Sequence, residues 1–321
     1  SSSTGFRSAE VALAAADNGL LYPVSEAFSN VGASRDIKVL KRSETGPSWY
    51  PKPGPDRRFD TGREFLIEPG EDALFQALQH AGAGDIIALA PGDYTLRKTL
   101  LVNRPVTIRS RDAENRANIS FERTALAEIA DGGSLKLSGL NISGKSAPDV
   151  AGNSVVRTSR YSMLNNFVLQ VENSTVADLD TNHSFNFFSA AKHTFADRIS
   201  IVDSDFRNVT GHVLYLNRED EDLGIYNAEY VLVKKSSFQN IAGTLADIYR
   251  GGTDESTFGP HFELAASTLE NVGKGKRNKS GASVHLLGVQ ATNIHGNTFR
   301  ASQPMRIVET VGEPVTRISD N

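Results

Sequence analysis

The chain has 321 residues, of which 39% are hydrophobic and 22% are charged, with a net charge of −4 and no cysteine. This length is sufficient for a large core in one domain, and the charge excludes a basic field that would attract nucleic acid. The sequence contains no run of 18 or more apolar residues, so we expect no segment to span a membrane. The absence of cysteine leaves the redox compartment open.

The segment 1–64 differs from the rest of the chain, and we interpret it as a strap or linker. Residues 8–18 are rich in alanine and predict a short helix. Residues 48–62 contain three prolines, which exclude a central strand and favour an extended segment. The sequence begins at Ser1 without methionine or a visible signal peptide. We therefore expect processing or, in preference, a piece of a longer chain.

Residues 65–321 form the second predicted unit, which starts with a helix and several short strands. Leu74–Ala81 is amphipathic and is preceded by Glu71 and Asp72, so we predict a helix with acidic residues in its first turn. This helix should cover the open N-terminal end of the fold, because the first coil of a solenoid otherwise exposes strand edges.

A short motif, Ser-x-[Phe/Leu/Val]-x-[Asn/Asp]-[Val/Ile/Leu], recurs along the second half of the chain. Its central apolar residues follow one another at a nearly constant interval, and they are Val176, Phe206, Phe238, Leu269 and Phe299. One strand-like motif in each period of this length indicates a solenoid. We therefore predict an all-β fold, a right-handed parallel β-helix with a short N-terminal capping helix.

The polar residues of the motif are expected to serve the turns. Asn208, Asn240 and Asn271 occupy one motif position in successive coils. Because neighbouring coils lie about 4.8 Å apart, their amides can form a ladder of hydrogen bonds, which we expect to point inward. The motif serines are given the same structural role.

A second strand follows each motif, and glycines 211, 243 and 281 set its register. In this alignment Leu216, Ile248 and Leu286 stack on the core side. The opposite side carries a stripe of polar residues, namely Tyr215, Asp247 and His285, with Asn217 and Tyr249 beside them. Arg218 and Arg250 fall at equivalent positions just beyond the strands.

This stripe is the candidate site. Two arginines on adjacent coils can bind two carboxylates of an extended polyanion, while Tyr and His are residue types used in acid–base catalysis. We therefore assign Arg250, Tyr215 and His285 as catalytic candidates. The substrate-binding candidates are Arg218, Asn217, Asp247 and Tyr249. The competing interpretation is an ordinary polar sheet face whose arginines pair with nearby acids.

Two further segments carry weaker signals. The segment 274–279 holds four positive charges and is either a solvated loop or a contact for an acidic polymer. The segment 218–222 is acidic but lacks the spacing of a calcium loop, so we predict no metal site.

Four segments, at positions 18–23, 44–52, 84–94 and 249–257, together resemble the C-terminal half of two-domain alginate lyases of polysaccharide lyase family six. The resemblance covers nearly the whole chain, and it implies a β-helix that follows a catalytic β-helix in the same polypeptide. Those enzymes, which are related to chondroitinase B, cleave alginate by β-elimination. Calcium neutralises the uronate carboxylate, a lysine removes the C5 proton and an arginine assists at the leaving oxygen.

The family pattern is Glu-x-Glu-x-x-x-x-Lys on one coil, with Arg-x-Gly on the next. Arg250 matches the arginine, but Thr210 and His212 would replace the glutamates and Asn217 the lysine. A second match, at positions 227–234, is expected on the wrong strand of its coil. We therefore expect no cofactor in this chain and assign the implied calcium to the catalytic half.

Three functions remain open from the sequence. The first is an accessory β-helix that acts on alginate, or another acidic polysaccharide, with an N-terminal catalytic β-helix domain of the same polypeptide. The second is a free-standing, metal-free lyase that uses Tyr215, His285 and Arg250. The third is a non-catalytic carbohydrate-binding or dimerisation solenoid, the latter as a homodimer. We expect a secreted or periplasmic protein with neither nucleic-acid nor membrane partners. A glycosidase is disfavoured, because Asp247 stands nearly alone on the stripe.

Overall fold

A computed structural model describes residues 11–15, 21–25, 58–219, 221, 223–252, 259–310 and 314–321. Its first elements are β1 (Val11–Ala15), β2 (Leu21–Ser25), β3 (Glu64–Ile67), β4 (Gly70–Glu71), α1 (Ala73–His80), β5 (Ile86–Leu89), β6 (Asp93–Leu96), β7 (Leu100–Val102) and β8 (Pro105–Ser110). They are followed by β9 (Asn118–Phe121), β10 (Ala125–Ile129), β11 (Ser134–Ser138), β12 (Asn141–Ser143), β13 (Ser154–Thr158), β14 (Phe167–Glu172), β15 (Thr175–Leu179), β16 (Asn186–Ser189) and β17 (Ala196–Val202). The remainder are β18 (Asp205–Val209), β19 (Leu214–Leu216), β20 (Ala228–Lys234), β21 (Ser237–Ile241), β22 (Ala246–Tyr249), β23 (His261–Ala265), β24 (Thr268–Val272), β25 (Val284–Leu287), β26 (Ala291–His295), β27 (Thr298–Arg300), β28 (Arg306–Val308) and β29 (Val315–Ser319).

Strands β3 to β29 form three parallel sheets of eight, ten and nine strands. In each sheet the neighbour of a strand is the corresponding strand of the next coil, as in the order β28-β25-β22-β19-β16-β13-β10-β7 of the eight-stranded sheet. Parallel strands joined in this way wind into a right-handed solenoid. The predicted parallel β-helix is confirmed.

The motif strands form the nine-stranded sheet in the predicted register. Val176 pairs with Phe206, Phe206 with Phe238, and Phe238 with Leu269. These side chains are buried, and the Phe206 and Phe238 rings stack with centroids 5.3 Å apart. Each buried phenylalanine contributes about 1.5–3 kcal/mol of hydrophobic stabilisation, so the repeat forms a continuous core.

The corner between the ten-stranded and nine-stranded sheets is built the same way in coil after coil. It consists of a left-handed residue and a serine, with φ of 48° at Asp203 and 51° at Lys235. The serine is buried, and its Oγ accepts the backbone N–H of the serine one coil earlier. Thus Ser204 N–H donates to Ser236 Oγ, and Ser236 N–H to Ser267 Oγ, both at 3.1 Å. This serine ladder satisfies backbone groups that would otherwise be buried without partners.

The asparagine ladder exists, but it does not point inward. Asn240 Nδ2 donates to Asn208 Oδ1 at 3.3 Å, and Asn271 Nδ2 donates to Asn240 Oδ1 at 2.9 Å. Asn240 and Asn271 are nevertheless exposed. All three asparagines are left-handed, with φ between 55° and 57°, a conformation that asparagine tolerates better than most residues. The inward ladder is formed by the serines instead.

Helix α1 is confirmed near the N-terminal end of the stack, where Leu74 and Leu78 are buried against the core. Its acidic residues lie before the first turn rather than in it. Asp72 is the left-handed N-cap residue, and its Oδ1 accepts the backbone N–H of Arg97 at 2.8 Å instead of capping the helix. No helix in the described residues is long and apolar enough to cross a bilayer.

The helix predicted for residues 8–18 is wrong where the structure describes this segment. Val11–Ala15 is a strand that pairs antiparallel with β2. Strand pairing overrides the modest helix propensity of the alanines. Most of the proline-rich segment lies outside the described residues, and the proposed boundary at residue 64 stays a prediction.

The other two junctions of each coil vary in length. From the nine-stranded to the eight-stranded sheet, the connecting chain ranges from the short segment 97–99 to the much longer segment 273–283. From the eight-stranded to the ten-stranded sheet, it ranges from the dipeptide 103–104 to the long segment 217–227. Both variable junctions border the eight-stranded sheet, so its outer face is flanked by loops on two sides.

Candidate functional site

The predicted stripe is one outward row of the eight-stranded sheet. Tyr215 pairs with Asp247, and Asp247 pairs with His285. On the alternate positions Leu216, Ile248 and Leu286 are buried in the core, so the predicted register is confirmed. The row begins earlier than predicted, because Arg157 and Ser189 pair into it ahead of Tyr215.

A groove of about 920 Å³ lies over part of this face. Ser154, Asn186, Ser189 and Tyr215 contribute from strands β13, β16 and β19. Six basic residues line the groove, namely Arg157, Arg160, Lys192, Arg218, Lys276 and Arg277. Among the described residues that line it, none is Asp or Glu. The charge of its walls therefore suits a polyanion.

Three of these cations form a basic column, which we define as Arg160, Lys192 and Arg218. Each lies three positions beyond the paired row of Arg157, Ser189 and Tyr215, in three successive coils. Counted in the same register, Arg250 is the fourth member, because it lies three positions beyond Asp247. The sequence predicted the equivalence of Arg218 and Arg250 but missed the two preceding members.

Arg250 does not share the exposure of Arg218. Its side chain is only 1% exposed, and it is among the largest fully buried side chains. Arg218 is exposed and lines the groove. That both arginines present their guanidinium groups to one polymer stays a prediction, and for Arg250 the burial of the side chain weighs against it. A direct catalytic contact of Arg250 with a substrate is not supported by this burial.

Most of the groove cations are not neutralised within the part of the chain that the structure describes. Arg157 forms an ion pair with Glu128 at 2.9 Å, and Lys192 forms an exposed pair with Glu221 at 3.2 Å. Arg160, Arg218, Lys276 and Arg277 form no ion pair with a described residue. Exposed pairs such as Lys192–Glu221 contribute at most about 1 kcal/mol, so a carboxylate ligand can compete for that lysine.

The basic insertion forms one wall of the groove through Lys276 and Arg277. Its backbone is fixed, because Asn278 Nδ2 donates to the carbonyl oxygens of Gly273 and Ala282, both at 2.8 Å. Gly275 approaches the neighbouring coil so closely that an added Cβ would lie 2.7 Å from Ala242 Cβ. The insertion is therefore a positioned wall, although its basic side chains remain exposed.

A three-residue stack lies in the groove, and the sequence identified only two of its members. The His212 and Tyr215 rings are stacked with centroids 4.8 Å apart and planes at 12°. The Arg218 guanidinium lies 5.4 Å from the centroid of the Tyr215 ring. We call this group the His212 stack. A signal was available, since His212 directly follows the glycine used for alignment.

The protonation of His212 is set by its surroundings. Burial lowers the pKa of His212 from 6.5, partly opposed by the negative charge of Asp247. Its Nδ1 accepts the backbone N–H of Thr244 at 3.0 Å. The neutral ring must therefore carry its proton on Nε2, which makes that atom a hydrogen-bond donor.

The remaining candidates are not among the residues that line the groove. Asp247 is 6% exposed, accepts a hydrogen bond from Asn217 Nδ2 at 2.9 Å, and lies 2.9 Å from His285 Nδ1. When Nδ1–H of His285 donates to this carboxylate, Nε2 is left as a base. Tyr249 is partly buried beside them. The structure thus brings Tyr215 and Arg218 together and leaves His285, Asn217, Asp247 and Tyr249 outside the groove lining.

The groove does not fit the calcium ion that the resemblance implies. Hard oxygen ligands, above all carboxylates, hold this ion. The equivalent positions carry Thr210, His212 and Asn217, and the described residues contain no group of three or more Asp, Glu or His side chains arranged for a metal. The second pattern match ends at Lys234 on β20, which belongs to the ten-stranded sheet.

Comparison with known proteins gives one consistent result. The chain is similar to the structure of the PL6 family alginate lyase AlyGC, with 39% identity over 100% of this chain and a TM-score of 0.76. An arginine-to-alanine variant of that enzyme matches with 40% identity over 99% of the chain and a TM-score of 0.73. The chain spans 47% and 46% of those two chains, about half their length. No protein-family model and no curated protein matches the chain significantly.

Proposed function

Because the chain is a PL6-like β-helix domain, we propose that it acts on alginate as the accessory half of a lyase, beside a catalytic β-helix in the same polypeptide. Two observations support this. The chain covers about half of the similar lyase, and the described residues lack the glutamates and lysine of the family pattern. The proposal includes the C-terminal position and the secreted or periplasmic location expected from the sequence.

The single observation that carries the proposal is the basic groove. A polyuronate has one carboxylate on each sugar unit, and the groove offers six cations and, among its described lining residues, no carboxylate. A protein with a net charge of −4 would repel such a polymer unless its positive charges were concentrated on one face. The groove supplies that concentration.

Affinity electrophoresis with the complete chain tests this function. Alginate in the gel should retard the protein at low salt, and the retardation should fall at about 0.5 M NaCl, where screening weakens exposed charge contacts. A neutral polysaccharide such as dextran is the control. Mobility that alginate leaves unchanged at low salt would refute the proposal.

The division of labour is tested by the absorbance of unsaturated uronates. The chain alone should give no such product from alginate, with or without added calcium. Supplied with a separately prepared catalytic β-helix, it should increase the activity of that partner on long chains more than on short ones. Calcium-dependent cleavage by the chain alone would show that the accessory role is wrong.

A second candidate, metal-free β-elimination, is favoured by one contact. Asp247 holds His285 at 2.9 Å in the arrangement of a general base. In that reaction His285 would take the C5 proton, the C4–C5 double bond would form, and the C4–O bond would break. The leaving oxygen would then receive the proton of Tyr215. Because Arg250 is buried, Arg218 would be the residue that holds the carboxylate.

This candidate makes a distinct prediction. Cleavage of alginate that persists in excess chelator and is abolished by His285→Asn would support it. No product with the unmodified chain at any pH between 5 and 9 would remove it. Mobility shifts in alginate without cleavage, or a dimer without any shift, would favour the binding and dimerisation roles respectively.

A further inference from the structure

The groove has a direction, which follows from where its cations lie. Its lining residues come from five successive coils, those of β13, β16, β19, β22 and β25. Neighbouring coils are about 4.8 Å apart, so four steps span roughly 19 Å along the axis of the β-helix. A ligand that contacts all these coils must cross the strands and be longer than one sugar.

The basic column repeats along this same axis. Arg160, Lys192 and Arg218 each follow the paired row of Arg157, Ser189 and Tyr215 by three residues in the sequence, and all three line the groove. The paired row itself advances by about 4.8 Å for each coil. Lys276 and Arg277 enter from the opposite junction, between β24 and β25. The floor between these two sides carries hydroxyl and amide groups, such as those of Ser154, Ser189 and Asn186. Cations on both sides and uncharged hydrogen-bonding groups below suit a chain of sugars that each bear one carboxylate.

The His212 stack gives the groove a fixed recognition point. His212 is held by Thr244, and its flat face supports the Tyr215 ring. The two stacked rings thus form a platform beside the guanidinium of Arg218. Arginine binds carboxylates in a planar, bidentate manner, and a neutral His212 can donate Nε2–H to a hydroxyl or a carboxylate oxygen.

We propose that an extended uronate chain lies along the axis of the β-helix, across the strands, with one sugar on the His212 stack. The carboxylate of that sugar is bound by Arg218, and the next two carboxylates are bound by Lys192 and Arg160. This mode of binding rests on the proposed function. It adds a direction, a subsite and a set of specificity-determining residues.

The test compares two triple variants that remove the same charge. R160Q/K192Q/R218Q removes the basic column. R207Q/K235Q/R300Q removes two arginines and one lysine that are exposed outside the groove lining. Because both variants lose three positive charges, any non-specific attraction to alginate falls equally. Each charge-assisted contact changes affinity severalfold, so the column variant should bind alginate at least ~30-fold more weakly, while the matched control should change by less than about threefold.

Single variants and short ligands test the direction. Each of R160Q, K192Q and R218Q should weaken binding on its own, and affinity for alginate oligomers should rise from the dimer to the tetramer. Tyr215→Ala should weaken binding about tenfold, whereas Tyr215→Phe, which keeps the stacked ring, should stay within about threefold. Thermal unfolding of every variant verifies that the fold persists.

The outcomes separate the two proposals. If the unmodified chain fails to bind alginate at low salt, the proposed function falls, and this inference falls with it. If it binds but the two triple variants weaken equally, the groove is not the site, and only the inference is overturned. Binding that is unaffected by Tyr215→Ala, or equal for dimer and tetramer, also overturns it.

Discussion

Two polar regions of this β-helix run from coil to coil, and they are built on opposite rules. At the corner before the nine-stranded sheet, four successive coils use a left-handed residue followed by a serine, from Ser174 to Ser267. On the eight-stranded sheet, the outward row changes at every step from Arg157 to Ser189, Tyr215, Asp247 and His285. The serine repeats because, in these four coils, it satisfies the same backbone N–H groups at the same corner. The outward row of the eight-stranded sheet varies because no turn requires a particular residue type there. The candidate catalytic and binding residues belong to this row or lie beside it.

The largest expected effect on stability comes from Arg250, which is buried although Arg218, at the equivalent position, is exposed. Arg250→Ala should lower the free energy of unfolding by about 3–5 kcal/mol, because it removes one of the largest fully buried side chains and leaves a cavity. Arg218→Ala, at the equivalent position, should lower it by less than about 0.5 kcal/mol and yet weaken alginate binding. Denaturant unfolding and affinity electrophoresis measure the two properties. Equal stability losses would contradict the assigned burial.

The serine ladder should give the next largest effect. Ser236→Ala removes the acceptor of the buried N–H of Ser204, at a cost of about 1–3 kcal/mol. Binding to alginate should be unchanged below the unfolding transition. Ser146→Ala, at an exposed serine, is the matched control and should change stability by less than about 0.5 kcal/mol. If Ser236→Ala left the free energy of unfolding unchanged, the serine ladder would not stabilise the fold.

The asparagine ladder should contribute less, and mainly through the backbone. Asn240 has φ of 57°, so Asn240→Ala should cost about 1–2 kcal/mol. Asn240→Gly removes the same amide but accepts that φ, and it should recover roughly half of the loss. Gln239→Ala, at the exposed neighbouring residue, is the control. If the glycine and alanine variants were equally unstable, the hydrogen bonds rather than the turn would dominate.

The smallest expected effect is a pH dependence of stability that comes from His212, beside the varied row. Since the pKa of folded His212 lies below 6.5, the unfolded chain binds a proton first as the pH falls. The stabilising contribution of neutral His212 is therefore complete above pH 6.5 and is lost at lower pH, down to the folded pKa. His212→Gln should flatten the decline in unfolding free energy between pH 7 and 5. The positive charge of His285 lowers this pKa, and Asp247 raises it. An unchanged slope in His212→Gln would contradict the assignment.

The fold and the register of its coils could be predicted from the sequence. The spacing of Phe206 and Phe238 indicated the fold, and the glycine alignment indicated the pairing of Tyr215 with Asp247. Both follow from a period that covers short, local segments. The direction of the asparagine side chains could not be read in this way, because a left-handed residue turns its side chain away from the strand pattern.

The varied region was harder to predict, because it depends on junctions of unequal length. Arg160 and Lys192 belong to the same column as Arg218, yet the connecting segments 159–166 and 190–195 differ in length and break the sequence period between them. Arg250 is buried although Arg218, at the equivalent sequence position, is exposed, and strand register contains no information about this difference. The tautomer of His212 depends on one backbone N–H from the next coil.

The constant corner before the nine-stranded sheet has a consequence for how such a domain changes. Because the corner and core fix the coil spacing, loops on either side of the eight-stranded sheet can lengthen, shorten or exchange residues without moving the frame. Evolution could therefore alter the groove one coil at a time while the stack stays in register. A protein engineer has the same freedom. Replacing the 273–283 loop with a shorter, uncharged one should remove Lys276 and Arg277 from the groove and leave the basic column in place on an unchanged scaffold.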